Sequence, residues 1–429
     1  MVKRIGFLES NLSGSGFKGL EFAKKMGYHV IFFTRDIDRY LNIHGAKFYF
    51  DNFVDEIVNC ETNEAQSVIS IIEKRRDRSE FVAFLTLGEY DVAVCSEIAK
   101  YLNLPRLNTS AALNARNKYL TRVACDKKGI NAPLYRLVQN EKDIKKAIQS
   151  IGLPCIVKPT DETSSADVLK CYTLGEVEKQ VKKIADKRYN TRGQERFEGV
   201  LIEEFLVGYE VSVETITYNN CTYILGITDK FTSKDHFVEI GHNFPSSLPE
   251  KILEECSNLA TESLQAINFD FGVAHIEMKV TCAGPKLIEI NARPAGGKIT
   301  DLVEQVNGFS YIKEFIRMAV GLSPQLKSKS MKKLGAAIRF LIVPEGKVEN
   351  VLGMDSLNNS PNIKEFYIPD LKGTRINKTL RNGDRLGYIV ATGLNGFEAG
   401  RHAEIAIDQI KIVFKNDENT LLNKEEQIK

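Results

Sequence analysis

The first third of the chain alternates short apolar runs with segments of helical period. Residues 4–10 (RIGFLES) read as a short buried strand. In 17–27 (FKGLEFAKKMG), Phe17, Leu20 and Ala23 fall on one side of a helix that Gly27 ends. Residues 28–34 (YHVIFFT) and 82–87 predict two more strands, and 92–102 the next helix. A βαβ rhythm of this kind builds a parallel sheet with helices on its faces. A boundary is placed near Leu113, where a new helical segment begins.

The middle third has a different pattern. A helical stretch at 141–151 precedes the apolar run 155–159. Residues 210–214 (EVSVE) alternate polar and apolar, as in an antiparallel strand with one wet face, and 223–230 can pair with them as a hairpin. Residues 272–280 and 286–291 predict two further strands joined by a turn at 281–285 (TCAGP), with a helix at 311–320 beyond. Residues 323–333 (SPQLKSKSMKK) are polar, basic and proline-bearing, the pattern of a linker. After it, 336–343 and 385–392 predict strands of a small β-rich unit, and the charged tail from Lys415 is expected to fray. No internal repeat is visible.

Composition narrows the classes. A chain of 429 residues suggests roughly three domains at about 150 residues each. With 43% hydrophobic residues and 58 Lys+Arg against 56 Asp+Glu, disorder is disfavoured. A net charge of +2 offers no broad cationic surface, so no nucleic-acid partner is expected. No run approaches the ~18 apolar residues that span a bilayer, and the N-terminus has no long apolar leader segment, so no membrane partner is expected either. The eight cysteines (60, 95, 125, 155, 171, 221, 256, 282) form no CxxC pair. That usage suits reduced thiols in a cytoplasmic protein better than a disulfide frame or a zinc site.

Two constellations carry candidate chemistry. The first is Gly14-Ser-Gly16-Phe-Lys-Gly19, a G-x-G-x-x-G after a strand, with Asp36 further on. It reads either as a dinucleotide fingerprint for NAD(P) or FAD, or as a small-residue turn that packs a helix onto a sheet. Residues 10–13 separate strand from glycine, where the fingerprint turns at once. The second constellation lies in the paired strands. With period two, Val273, His275, Glu277 and Lys279 share one face, and Ala274, Ile276, Met278 and Val280 share the core face. Glu289 and Asn291 share a face of the next strand. If the strands pair, Glu277, Glu289 and Asn291 converge as oxygen ligands suited to Mg²⁺, or else form a salt-bridged strand pair. Arg293 follows, and its guanidinium can fork onto a carboxylate or phosphate. Gly296 and Gly297 leave backbone N–H groups open to close approach. Lys118 opens a helix after Asn117, and Lys158 ends the strand at 155–159. Residues 160–167 (TDETSSAD) form a small, hydroxyl-rich loop fit to close over phosphates. The acid pair Glu203, Glu204 with Phe205 and Leu206, then Glu210, reads as a hinge offering backbone groups to an adenine and a carboxylate to ribose hydroxyls. Each piece alone is ordinary; the order is not.

That order resembles the ATP-grasp superfamily of carboxylate–amine ligases over roughly residues 1–325, and within it the bacterial L-amino-acid ligases that make dipeptides. The resemblance implies α/β and α+β architecture: a Rossmann-like domain (1–112), an ATP-grasp domain (113–325, its lid subdomain about 113–202) and a β-rich C-terminal domain (326–429). It matches Lys118 and Lys158 to the family's two ATP lysines and the loop with Ser164 and Ser165 to its lid. Glu203, Glu204, Phe205 and Leu206 match the adenine hinge, and Glu277, Glu289 and Asn291 the metal ligands, with Arg293 after them. Further similarities are Glu89 after a glycine, Thr228-Asp-Lys230, and the segment Phe237-Val-Glu-Ile-Gly-His242. One departure is Asp167, where the family has glycine; it bears on the lid's backbone geometry. The activity implied is ATP-dependent joining of one amino acid's carboxylate to another's amine through an acyl phosphate, releasing ADP and phosphate. The cofactors implied are ATP and two Mg²⁺, for which Mn²⁺ can substitute. Lys230 joins the ATP lysines. Arg293 and His242 are the implied catalytic residues; Glu89, Glu239, His242, Arg293, Gly296 and Gly297 bind substrate. The partners are amino-acid substrates, with a homodimer as the base-rate expectation. A carboxylase or purine-pathway ligase of the same superfamily is the alternative, and an NAD(P)-dependent oxidoreductase the distant one.

Overall fold

The computed structural model describes residues 2–12, 14–233, 237–327 and 334–415. The chain forms two compact units, one from Met1–Lys230 with Phe244–Lys332 and one from Phe231–Asn243 with Lys333–Lys429. The last part of the predicted linker and the tail beyond Lys415 lie outside the described residues.

In the first unit, β1 (Arg4–Leu8), β2 (His29–Thr34), β3 (Glu56–Asn59) and β4 (Phe81–Leu85) form a parallel sheet in the order β3-β2-β1-β4. Ile5, Phe7, Val30 and Phe32 cluster with Phe17, Leu20 and Ala23 of the helix Gly14–Lys25. Leu8, Ile31 and Phe33 cluster on a second core with Val68, Ile72 and Ile98. Both faces of the sheet are covered, which is why its strands read as continuous apolar runs. The helix begins at Gly14, earlier than its apolar face implied. Gly16 and Gly19 therefore lie within its first turns rather than in a loop. A Cβ at Gly16 would sit 2.4 Å from Ser10 Oγ, and one at Gly19 would sit 2.3 Å from Leu87 Cδ1. These glycines let the helix pack closely on the strand ends, the plainer of the two readings of the fingerprint.

An antiparallel sheet follows: β5 (Tyr135–Val138), β6 (Cys155–Pro159), β7 (Leu169–Cys171) and β8 (Val200–Glu204), in the order β5-β8-β6-β7. Val138, Val157 and Ile202 pack with Ile144 and Ala147 of the helix Glu141–Ile151 and with Val177, Val181 and Ile184 of the helix Leu174–Ala185. Asn140 and Thr173 cap these helices, the latter in a reciprocal capping box with Glu176.

Next come β9 (Tyr209–Tyr218), β10 (Cys221–Thr232), β11 (Glu239–Phe244), β12 (Gly272–Thr281) and β13 (Gly284–Asn291). Four of them run antiparallel as β13-β12-β9-β10. The β12–β13 hairpin is tighter than predicted, because both strands extend to the Cys282-Ala283 turn. Val211, Val213, Ala274, Ile276, Met278 and Leu287 cluster with Cys256, Leu259 and Leu264 of the helix Glu250–Ala266. The opposite face of this sheet is polar and carries the candidate site.

In the second unit, β14 (Gly335–Leu341), β15 (Gly346–Leu352), β16 (Ile363–Tyr367), β17 (Arg375–Ile376), β18 (Gly387–Gly393) and β19 (Lys411–Phe414) form two sheets, ordered β11-β14-β18-β16 and β17-β15-β19. Leu341, Val348, Leu357, Ile389 and Ala406 make its core. All eight cysteines are free. Among the described residues no helix is long and apolar enough to cross a membrane.

Candidate functional site

The helix Lys118–Lys128 starts at Asn117, whose side chain accepts the N–H groups of Tyr119 and Leu120. That cap fixes Lys118 in the first turn, buried, with its Nζ 2.9 Å from a Glu289 carboxylate oxygen and donating to the Glu162 carbonyl at 2.6 Å. One turn further on the same face lies Arg122. Its Nε donates to Glu203 Oε1 at 2.8 Å, and its Nη2 to the Ile288 carbonyl at 2.7 Å. The other oxygen of Glu203 is 2.6 Å from Lys158 Nζ. Burial works against the Glu203 charge, but Arg122 and Lys158 outweigh it and hold the carboxyl below its ordinary range. Burial also pulls Lys158 below the ordinary lysine range; Glu203 opposes this, while Arg122 and Lys118 add to it.

The strand register assembles the second part. Glu277 stands opposite Glu289, and His275 opposite Asn291. On the other side of β12, Glu277 faces Ser212, Lys279 faces Glu210 and His275 faces Glu214, and across β9 Lys230 faces Glu210. Lys230 Nζ lies 2.8 Å from Glu277 and 3.5 Å from Glu210, which also holds Lys279 at 3.0 Å. His275 is a hydrogen-bonded strand histidine: Nδ1 is 2.8 Å from Glu214 and Nε2 3.2 Å from Glu277. Burial disfavours its charge, yet the two carboxylates push its pKa up to about 9, so both ring nitrogens carry protons at neutral pH. Burial likewise opposes the Glu277 charge, and Lys230 with His275 reverses this and holds its carboxyl far below the usual carboxylate range.

Glu277, Glu289 and Asn291 thus form a set of hard oxygen donors on adjacent strands. A lysine ammonium stands against each carboxylate, Lys230 against Glu277 and Lys118 against Glu289. The set fits a hard divalent cation that keeps most of its positions for phosphate and water. Among the described residues no three His, Cys, Asp or Glu side chains gather into a metal cluster.

Ser164, Ser165 and Asp167 all adopt left-handed backbone, at φ 56°, 58° and 57°. That conformation costs a non-glycine residue about 1–2 kcal/mol. Asp167 recovers part of this cost through its carboxylate, held by Lys187 at 2.5 Å, Lys183 at 3.2 Å and Arg196 at 3.6 Å. Glu162 anchors the same loop. It accepts from Tyr90 Oη at 2.7 Å, Thr191 Oγ1 at 2.7 Å and Arg196 at 2.5 Å. Beside Tyr90, Glu89 lies 2.7 Å from Arg293 Nε, and Arg293 Nη2 reaches Asn291 Oδ1 at 3.4 Å. Gly297 is left-handed at φ 56°, and a Cβ at Gly296 would meet nothing within 4 Å among the described residues.

The first unit thus brings together Lys118, Lys158, Glu203, Glu210, Lys230, Glu277, Glu289, Asn291, Arg293 and Glu89. Glu204 points away from Glu203 onto Lys286 at 3.0 Å, and the Phe205 ring carries Lys170 Nζ 3.6 Å from its centroid, while Leu206 is buried. Glu239 and His242 belong to the second unit. There His242 is fully buried on a strand rather than solvated in a loop, with its ring 5.8 Å from Phe340 and its Nε2 3.6 Å from Glu239. Arg385 Nη1 lies 3.3 Å from the same Glu239 carboxylate. Sequence reasoning missed Arg122, although its position one turn after Lys118 was visible. It also missed Tyr90 and Glu162, which no local pattern marks.

The fold is an ATP-grasp fold, that of ATP-dependent carboxylate–amine ligases. Residues 151–301 match the ATP-grasp domain family, and residues 339–415 match the L-amino acid ligase C-terminal domain 2 family. The chain is 28% identical over 259 residues to alanine–anticapsin ligase of Bacillus subtilis, spanning 57% of this chain and 55% of that protein. It is 24% identical over 400 residues to formate-dependent phosphoribosylglycinamide formyltransferase of Saccharolobus solfataricus, spanning 90% of this chain and 93% of that one. Its fold is similar to that of an L-amino acid ligase from Bacillus licheniformis, with a TM-score of 0.79 at 20% identity over 96% of this chain and 99% of the other.

Proposed function

We propose that the protein is an ATP-dependent L-amino-acid ligase. It joins the carboxylate of one amino acid to the amine of another through an acyl phosphate and releases ADP and phosphate. The observation that carries the phosphoryl-transfer part is the set of buried cations Lys118, Lys158 and Lys230, paired with Glu289, Glu203 and Glu277 in turn. The amino-acid part is supported by the C-terminal match and by the similarity to a ligase whose name specifies alanine.

A carboxylate is a poor acyl donor because oxide would have to leave. Transfer of the γ-phosphoryl group turns that oxygen into a phosphate leaving group, which the second amine displaces. Such chemistry asks of the protein mainly positioning and charge neutralisation. In this reading Lys118, Lys158 and Lys230 neutralise ATP phosphates, and the loop with Ser164 and Ser165 closes over them. The hinge of Glu203, Glu204, Phe205 and Leu206 offers backbone groups to the adenine, and Glu210 a carboxylate to the ribose. Glu277, Glu289 and Asn291 would hold Mg²⁺, two ions in number with Mn²⁺ able to substitute, which when bound neutralises phosphate charge. Arg293 and the Gly296 and Gly297 amides hold the substrate carboxylate and the developing oxyanion, and Glu89 lies at the edge of that pocket. Glu239 and His242 bind substrate amino groups, with His242 also taking the proton of the attacking amine. A cytoplasmic location and a homodimer complete the reading.

The test is a matrix of amino-acid pairs with ATP and Mg²⁺, scored for phosphate and for dipeptide mass. ADP, phosphate and a dipeptide are expected. No phosphate release from folded protein with any pair refutes the proposal, and AMP with pyrophosphate contradicts the acyl-phosphate route. The near full-length similarity to a formyltransferase favours one second reading, a ligase using formate or another small acid. Formate and bicarbonate arms in the same matrix separate the two.

A further inference from the structure

Arg122 has no role in the reading above, yet its side chain is fully buried between the hinge strand β8 and the metal-ligand strand β13. Lys158 and Glu203 form a pair with side chains only 6% and 3% exposed. If Lys158 were the sole partner of Glu203, its move to a phosphate would strand a buried carboxylate, at a large penalty. Lys118 and Lys230 face no such difficulty. Their partners Glu289 and Glu277 belong to the proposed metal set, so an incoming cation replaces each departing lysine. Glu203 lies outside that set and needs a replacement cation from the protein itself.

We propose that Arg122 is a positioning residue that keeps the Glu203 carboxylate compensated, so that Lys158 is free to transfer to a nucleotide phosphate. The inference rests on the ATP-binding role proposed for Lys158. Arg122 takes the opposite oxygen of Glu203 at 2.8 Å, leaving the Lys158 side of the carboxylate separate. Its bond to the Ile288 carbonyl, next to Glu289, anchors the guanidinium so that it does not follow Lys158. Together Arg122, Lys158 and Glu203 carry one positive charge more than the empty pocket needs. The excess shows in the buried Arg122 Nη1, which has no hydrogen-bond partner among the described residues, and in the depressed Lys158. A phosphate supplies the missing negative charge.

The proposal predicts opposite behaviour of binding and folding, which a purely structural arginine would not show. Arg122→Met leaves Lys158 on Glu203, so the free protein stays folded, while titration calorimetry should find ATP with Mg²⁺ bound at least about tenfold more weakly. Arg122→Lys should recover part of the affinity. Adding Glu203→Gln to Arg122→Met removes the stranded charge and should restore affinity to within about threefold of wild type. Glu203→Gln alone should bind at least as tightly as wild type, a result that does not depend on Arg122→Met folding well. The proposal is overturned if Arg122→Met binds like wild type, if the double variant stays as weak as the single one, or if Glu203→Gln alone weakens binding. No nucleotide binding by wild type would instead remove the ATP-site reading on which it rests.

Discussion

Asp91 gives a prediction whose sign runs against intuition about buried charges. It immediately precedes the helix Val92–Tyr101 but makes no side-chain cap bond, and it is 2% exposed. Its Oδ1 has no hydrogen-bond partner among the described residues. Burial, then the negative charge of Glu9, pushes its carboxyl from the ordinary 3.8 up to about 7, while Arg192, Arg39 and Arg116 pull the other way. The folded protein therefore keeps a proton that the unfolded chain has released above about pH 4. Stability contributed by that proton is present at low pH and is lost as pH rises from about 4 to about 7. At 1.36 kcal/mol per pH unit, the displacement amounts to about 4 kcal/mol lost by pH 8. Asp91→Asn is neutral at every pH. It should match wild type near pH 4, exceed it in stability by up to about 4 kcal/mol at pH 8, and flatten the slope between. Urea denaturation followed by circular dichroism at pH 5, 6, 7 and 8 measures the gap. A variant that is less stable at pH 8, or a gap that does not widen from pH 5 to 8, refutes the reasoning.

Other expectations follow from the site. Glu289→Ala should remain folded, because Lys118 keeps its bond to the Glu162 carbonyl, yet lose turnover by on the order of 10³-fold; full activity in a steady-state phosphate assay would show the metal assignment to be wrong. Asp167→Gly trades about 1–2 kcal/mol of left-handed strain against ion pairs to the exposed Lys183 and Lys187, worth about 0–1 kcal/mol each, and a longer one to Arg196, so thermal denaturation should find stability almost unchanged. A loss of several kcal/mol would mean the carboxylate holds more than its own loop. Tyr90→Phe removes a hydroxyl bonded to the ionised Glu162 and should cost about 1–3 kcal/mol and speed protease cleavage at residues 160–167; unchanged cleavage would count against Tyr90 as an anchor.

The sequence disclosed whatever depends on local periodicity. Alternation along 272–280 separated Glu277 from the core-facing Ile276 and Met278, and the short turn implied the pairing that sets Glu277 against Glu289. What stayed hidden depends on distance along the chain. Arg122 is separated from Glu203 by 81 positions and Tyr90 from Glu162 by 72, and no periodicity links residues across such spans. The glycines 14, 16 and 19 mislead for a related reason. Close packing of a helix and close approach of a pyrophosphate both call for a missing side chain, and only the contacts of Gly16 and Gly19 tell the two apart. The strand that carries His242 is short and glycine-bearing, so no local pattern marks the histidine as wholly buried, as it is in the fold.

The pairing of Lys118 with Glu289 and of Lys230 with Glu277 bears on which form of nucleotide the pocket accepts. Under the proposed assignment, free ATP would draw the lysines away and leave two bare carboxylates. A free divalent ion would take the carboxylates and leave two displaced ammonium groups beside it. Only the metal–nucleotide complex presents both charges at once and lets every group exchange one counter-charge for another. Under that assignment the pocket would discriminate MgATP from either component alone by electrical balance, without needing a contact that recognises the complex as such.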